Sequence, residues 1–177
     1  MTDIQSPRSR ALVITGGLGS GKTSVAIEMA SALDVSDLAY ALVDLDFLCW
    51  AKPADDCTLS IHDLLVLNLI PVVRGFQSVG VDHFILPRFI LTRLEAGQLR
   101  QALNDCGIED VRFVELEVGP ETARARLAHR DHGSTLAEHL ESVDTLTAED
   151  GIADARFSTD QSSIADVSAQ LLEYWLS

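Results

Sequence analysis

An α/β fold, with a parallel sheet covered by helices on both faces, is predicted for this chain by three observations. Short apolar runs alternate with segments of helical spacing along the whole sequence, a pattern met by a sheet with helices packed on each face. A glycine-rich turn, Gly16-Gly17-Leu18-Gly19-Ser20-Gly21, joins the first apolar run to the first helical segment. The 177 residues contain no internal repeat, low-complexity tract or linker. Domains usually hold roughly 100 to 200 residues, so residues 1–177 are expected to form a single domain around one core.

The elements follow in order. Residues 1–10 (MTDIQSPRSR) are polar and expected to be frayed, and ALVIT at 11–15 reads as a buried strand. A helix is predicted over 21–33, where Val25, Ala26, Met29, Ala30 and Leu33 recur at helical spacing. AYALVDL at 39–45 is the second strand and leads into Asp44 and Asp46, after which Pro53 and ADDC mark a loop. Residues 60–76 form a helix that Pro71 is expected to kink or divide, because proline lacks an N–H and crowds the preceding turn.

VDHFIL at 81–86 is a third strand stopped by Pro87, and a helix over 90–105 ends near Gly107. VRFVELEV at 111–118 is the fourth strand, and Pro120 stands where a first helical turn begins. That helix carries Arg124, Arg126 and Arg130, and Gly133 marks a turn into another helix. A short strand at 152–158 and a last helix, SSIADVSAQLLEYWL, close the pattern.

Composition narrows the function classes. Thirteen Lys and Arg stand against 27 Asp and Glu, a formal net charge of −14 that repels nucleic-acid backbones and anionic membranes. Neither is expected as a partner, and an anionic ligand requires a local positive site. Cys49, Cys57 and Cys106 are odd in number and form no CxxC pair, so no disulfide framework or thiolate zinc site is implied. No signal-like start is present, and the longest apolar stretch, LLVLNLIPVV, is about half a membrane span. A reducing cytoplasm is the expected location.

GGLGSGKT, Gly16 through Thr23, supplies the local positive site. Its spacing of Gly16, Gly21, Lys22 and Thr23 matches the phosphate-binding P-loop pattern. Glycines let the backbone curl around an anion so that its amides point inward, and the following helix adds its positive end. Gly16, Gly17, Leu18, Gly19, Ser20, Gly21, Lys22, Thr23 and Ser24 are therefore the predicted nucleotide-binding residues. Lys22 would bridge the β- and γ-phosphates of ATP, and the Thr23 hydroxyl would ligate Mg²⁺.

With these features the chain resembles the small P-loop kinases that phosphorylate metabolites or nucleotides, such as shikimate kinase, gluconate kinase, adenylate kinase and chloramphenicol phosphotransferase. The resemblance rests on GGLGSGKT after the first strand, VDLD at the end of the second, ARARLAHRDHG after the fourth and FSTDQSSIADVSAQLL near the carboxyl end. It implies a five-stranded parallel sheet of order 2-3-1-4-5 and a mobile lid over about residues 126–140. It also implies that Arg126 and Arg130 clamp phosphates from the lid, with Arg124 a lesser candidate, and that the loop around Ser158 to Ser162 flanks the base.

Asp44 and Asp46 look like the DxD of shikimate kinase. On that resemblance Asp44 is expected on the metal side, sharing Mg²⁺ with Thr23, and Asp46 at the acceptor hydroxyl. Read from spacing alone, the two acids could equally solubilise a strand end, or Asp46 could cap a following turn. The third strand departs from the common P-loop pattern, because Pro87 and Arg88 stand where an acidic metal partner is expected. Asp44 then takes that duty, or Mg²⁺ relies on Thr23, phosphates and water.

Other residues carry weaker signals. Arg126 and Arg130 are four apart and share a helix face, unlike Arg124. His129 and His132 lack a fixed ligand geometry, since Gly133 ends their helix, and His139 lies beyond it. Trp50 and Lys52 are candidates to wall an acceptor pocket, and Arg74 or Arg88 to meet an anionic acceptor, with nothing in the spacing to choose among them. The sequence points to an ATP- and Mg²⁺-dependent kinase acting on a small-molecule hydroxyl. A nucleoside or nucleotide kinase and a non-catalytic ATP-binding regulator are the alternatives, and no motif sets the oligomeric state.

Overall fold

Ala11, Leu12, Val13 and Ile14 are all fully buried, because the strand that carries them lies at the centre of a sheet with helices on both sides. The computed structural model describes residues 9–177, so most of the stretch expected to fray lies outside the described residues. Strand β1 (Arg10–Thr15) begins at Arg10, which pairs with His83 and Asp110 on its two neighbours.

The remaining elements are α1 (Lys22–Leu33), β2 (Tyr40–Leu42), α2 (Ile61–Gln77), β3 (His83–Pro87), α3 (Arg93–Asn104), β4 (Asp110–Glu117), α4 (Pro120–Arg130), α5 (Gly133–Thr145), β5 (Ala155–Ser158) and α6 (Ile164–Leu176). All strand pairs are parallel, in the order β2-β3-β1-β4-β5. This is the three-layer architecture and strand order expected from the resemblance.

Period-two alternation sorts the strand residues onto two cores. Ala11, Val13, Phe84, Leu86 and Phe113 face α2 and α3, meeting Leu65, Leu69, Val73, Leu99 and Leu103. Leu12, Ile14, Ile85, Val114 and Leu116 face α1 and α6, meeting Val25, Met29, Val167, Leu171 and Trp175. Burying one such side chain stabilises the fold by roughly 1.5 to 3 kcal/mol, so the paired cores fix where the strand ends, and the loops after them, come to lie.

One sequence expectation needs correction and another is narrowed. Strand β2 is only Tyr40–Leu42, and Leu45–Leu48 form a 3₁₀ turn in place of the strand end predicted to reach residue 45. The reason is local: the Asp44 side chain accepts from the Asp46 backbone N–H at 3.1 Å and caps the turn. Asp44, not Asp46, is thus the capping acid. Helix α2, expected to be kinked or divided at Pro71, is not divided there. Pro71 has no N–H to donate to the Leu67 carbonyl, and Leu67 lies on the exposed side of the helix. The Ser60–Asp63 capping box and buried Leu65, Leu69 and Val73 hold the helix on either side.

Candidate active site

The glycine-rich turn begins where β1 ends and closes where α1 begins. Gly16 has φ 136° and lies against the Leu116 backbone of β4, where a Cβ would collide with the Leu116 carbonyl oxygen. Gly19 has φ 78°, and a Cβ there would fall 2.9 Å from the backbone of Ala123 in α4. Both positions need a residue with no side chain in a left-handed conformation. Gly21 is the N-cap of α1 and offers no capping side chain. The first helical hydrogen bond is Val25 N–H to Gly21 O, so the amides of Lys22, Thr23 and Ser24 remain free to meet an anion at the helix's positive end.

Lys22 folds back over this turn. Its Nζ donates to the carbonyls of Gly16 at 2.8 Å and Gly17 at 3.1 Å and lies 5.7 Å from the centre of the Phe89 ring. Burial pulls the ammonium down from 10.5 to about 8, against the attraction of Asp46 and Asp44, while Arg130 pushes in the same direction as burial. The site therefore holds a cation at a cost that a bound anion would relieve.

Beside Lys22, the Thr23 hydroxyl donates to Asp44 Oδ2 at 3.3 Å. This brings together the two oxygens predicted to share a metal. A hydroxyl and a carboxylate are hard oxygen donors suited to Mg²⁺, and phosphate oxygens and water would complete its shell. No cluster of three His, Cys, Asp or Glu side chains is arranged to hold a metal among the described residues. The Thr23 hydroxyl and the Asp44 carboxylate are thus the protein oxygens that would hold such a metal.

Asp46 sits one turn on, two-thirds exposed, with Oδ1 accepting from Arg88 Nη1 at 2.8 Å. Loss of hydration raises its pKa, Arg88 works in the opposite sense and Asp44 adds to the rise. Arg88 also reaches Cys49 Sγ at 3.0 Å. Arg88 stands where the acidic residue of the third strand was expected, and it serves as the counter-ion of Asp46 in the 3₁₀ turn after β2.

The arginines of α4 have separate partners. Arg126 donates to the Gly19 carbonyl at 3.1 Å, the Thr159 hydroxyl at 3.0 Å and the Thr159 carbonyl at 2.6 Å, joining the glycine turn to the loop after β5. Arg130 forms a two-pronged pair with Asp131 at 2.8 and 2.9 Å, and His139 also reaches that carboxylate at 2.8 Å. These partners hold Asp131 well below the usual carboxylate range. Arg124 pairs with Asp144 of α5. His132 lies past the end of α4, as the N-cap of α5.

Two cavities flank the glycine turn. One, of about 450 Å³, is walled by residues that include Gly19, Ser20, Ser24, Arg126, Thr159 and Ser163. The other, of about 480 Å³, is walled by Gly17, Leu18, Phe89, Glu115, Glu117 and Leu146. Trp50 stacks on Phe47 with ring centres 5.7 Å apart, and both are exposed near the acidic pair. Lys52 lies in the exposed loop beyond them.

Thr159 lies in the Ser158–Ser162 loop expected beside the base, whereas Phe89, and Arg88 as the partner of Asp46, were not singled out by sequence. The signal for Arg88 and Phe89 was their position just after β3, since ligands bind at the carboxyl ends of parallel strands.

No protein-family model matches this chain, and no curated protein sequence matches it. Solved structures do. The APS kinase of Mycobacterium tuberculosis, in complex with AMPPNP and APS, superposes with a TM-score of 0.69 at 22% identity, over 97% of this chain and 99% of that one. A gluconokinase of Sinorhizobium meliloti 1021 gives 0.61 at 18% identity, over 96% and 93%. The shikimate kinase of Acinetobacter baumannii, in complex with shikimate, gives 0.55 at 16% identity, over 97% and 94%. Sheet order, glycine turn and whole-chain superposition together identify the chain as having the P-loop kinase fold.

Proposed function

We propose that this protein is a phosphotransferase that moves the γ-phosphoryl group of Mg-ATP to a hydroxyl of a small molecule. The observation that carries this reading is that Lys22 and Thr23, with Asp44 brought to Thr23 from the end of β2, close a glycine turn whose Gly17–Leu18 and Gly19–Gly21 segments wall two separate cavities. A protein that only binds nucleotide needs one of them. The cavity bounded by Ser24, Arg126, Thr159 and Ser163 would take the nucleoside, and the one bounded by Phe89, the residue after the Asp46 partner Arg88, the body of the acceptor.

Phosphoryl transfer depends on alignment and charge stabilisation, and each residue has a matching task. Lys22 would leave the Gly16 and Gly17 carbonyls for the phosphates, joined by the free amides of the turn. Thr23 and Asp44 would hold Mg²⁺, which when bound neutralises charge between the β- and γ-phosphates. Asp46, oriented by Arg88, would align the acceptor hydroxyl and take its proton as the acceptor oxygen bonds to phosphorus and the bond to the leaving ADP oxygen breaks. Arg126 would brace the nucleoside cavity. Arg130 would exchange Asp131 for phosphate as the segment around residues 126–140 closes.

The test is ADP release from Mg-ATP with pooled hydroxylated metabolites, nucleosides and nucleoside monophosphates, for wild type, Lys22→Ala and Asp46→Ala. Stimulation by one pool, lost in both variants, is expected. ATP binding with no stimulation by any pool would argue for the non-catalytic alternative.

A further inference from the structure

We propose that the acceptor is an uncharged or amine-bearing alcohol with an apolar body, and that carboxylate- or phosphate-bearing acceptors are excluded. This rests on the phosphotransferase reading and concerns the cavity beside Phe89.

That cavity shares two residues with the surroundings of Lys22. Gly17 lines it, and the Gly17 carbonyl accepts from Lys22 Nζ at 3.1 Å; Phe89 lines it, and its ring lies 5.7 Å from the same nitrogen. A molecule held there lies next to the group expected to meet the γ-phosphate. Much of the wall is apolar, with Leu18, Phe89, Val143 and Leu146 among its residues. Its ionisable residues are Glu115 and Glu117, and no Lys, Arg or His lines it.

Both glutamates lie on the face of β4 that also carries Val111 and Phe113, four and two residues before Glu115 and buried against the α2–α3 side. Toward the carboxyl end of the strand the same face borders the cavity. Arg156 reaches Glu115 at 3.1 Å and Glu117 at 3.7 Å from β5, one cation against two carboxylates, with Asp150 a third acid at 3.8 Å. The excess is negative.

The cations that could offset it have other partners. Arg88 is held by Asp46, Arg93 by Glu149 and Arg124 by Asp144, and Lys22, the cation beside Gly17 and Phe89, by the Gly16 and Gly17 carbonyls and, with nucleotide bound, by its phosphates. An acceptor with its own carboxylate or phosphate would face two glutamates that share a single arginine, whereas an ammonium group would gain a counter-ion. A neutral alcohol would lose nothing, and its apolar body would cover Phe89, Val143 and Leu146.

Three probes of one shape test this: para-(aminomethyl)benzyl alcohol, para-methylbenzyl alcohol and para-(hydroxymethyl)benzoate. Their affinities are measured by ligand-observed NMR on the full chain with Mg-AMPPNP, for wild type, Leu146→Lys and the double variant Glu115→Gln/Glu117→Gln. Leu146 is 44% exposed, so a lysine there can be accommodated even if the glutamate variant fails to fold. The ammonium probe is expected to bind about fivefold or more tightly than the carboxylate probe in wild type, with the order narrowed or reversed in Leu146→Lys. Equal or tighter binding of the carboxylate probe, an order unchanged by Leu146→Lys, or no binding of any probe would overturn the assignment.

ADP release measured on the same samples separates the two claims. The predicted binding order with no acceptor-dependent turnover from any alcohol would count against phosphotransfer alone. Turnover confined to anionic acceptors would leave phosphotransfer standing and overturn the acceptor class.

Discussion

The Thr23 hydroxyl donates to Asp44 Oδ2 at 3.3 Å, joining residues 21 apart in sequence at the adjoining ends of the glycine turn and β2. If the pair holds Mg²⁺ jointly, Thr23→Ala and Asp44→Ala should each lower kcat/KM by about tenfold or more, and the double variant should lose less than the product of the two. Magnesium titrations of ATP turnover should show weakened Mg²⁺ affinity in all three. Fully multiplicative losses with an unchanged Mg²⁺ dependence would separate the two side chains.

On the proposed function, Lys22 should link nucleotide affinity to pH. In the free protein its ammonium is pulled down to about 8, and bound phosphates would raise it again. Above that value the free protein has lost the proton, so ATP binding must take one up and Kd should weaken as pH rises through about 8 and beyond. Below it, Kd should be flat with respect to this group. Calorimetry in buffers of different ionisation enthalpy would detect the uptake. Lys22→Arg, which stays charged, should remove the slope.

Arg88 lowers the pKa of Asp46, which loss of hydration raises. Removing the guanidinium in Arg88→Met should therefore raise that carboxyl further, and the acid limb of the kcat/KM profile should move to higher pH. An acid limb that stays in place would mean that Asp46 does not set it.

Gly19 combines φ 78° with close approach to Ala123, so Gly19→Ala must strain the turn or push α4 away. A loss of about 1 to 3 kcal/mol in chemical denaturation is expected, together with weakened nucleotide binding. A Cβ at Gly75 would meet nothing within 4 Å, and Gly75→Ala in α2 should be neutral or mildly stabilising. Equal effects at both positions would contradict the steric account.

The framework was legible in the sequence because local signals and burial agreed. ALVIT, HFIL and the apolar positions of α1 behave as their periodicity predicts, and Gly16 through Thr23 carries its geometry in its spacing. The 3₁₀ turn after β2 was missed because a side-chain cap, Asp44 on the Asp46 amide, competes with an apolar run that otherwise reads as strand. Helix α2 kept its length through Pro71 because tertiary packing on both sides outweighs one lost hydrogen bond.

The pairing of the charged groups was not legible. Arg88 with Asp46 spans 42 residues and Arg126 with Thr159 spans 33, and these contacts arise only when strand ends are brought together. The acidic character of the Phe89 cavity is of the same kind, since Glu115 and Glu117 looked like ordinary strand residues until β5 and α5 closed around them.

Transfer itself is tested most directly by following the γ-phosphorus. Isotopically labelled γ-phosphate on Mg-ATP, incubated with wild type and a stimulating alcohol, should appear in a phosphate ester of that alcohol by mass spectrometry, and Lys22→Ala should form none. Label found only in inorganic phosphate, or ester formed equally by Lys22→Ala, would contradict the account.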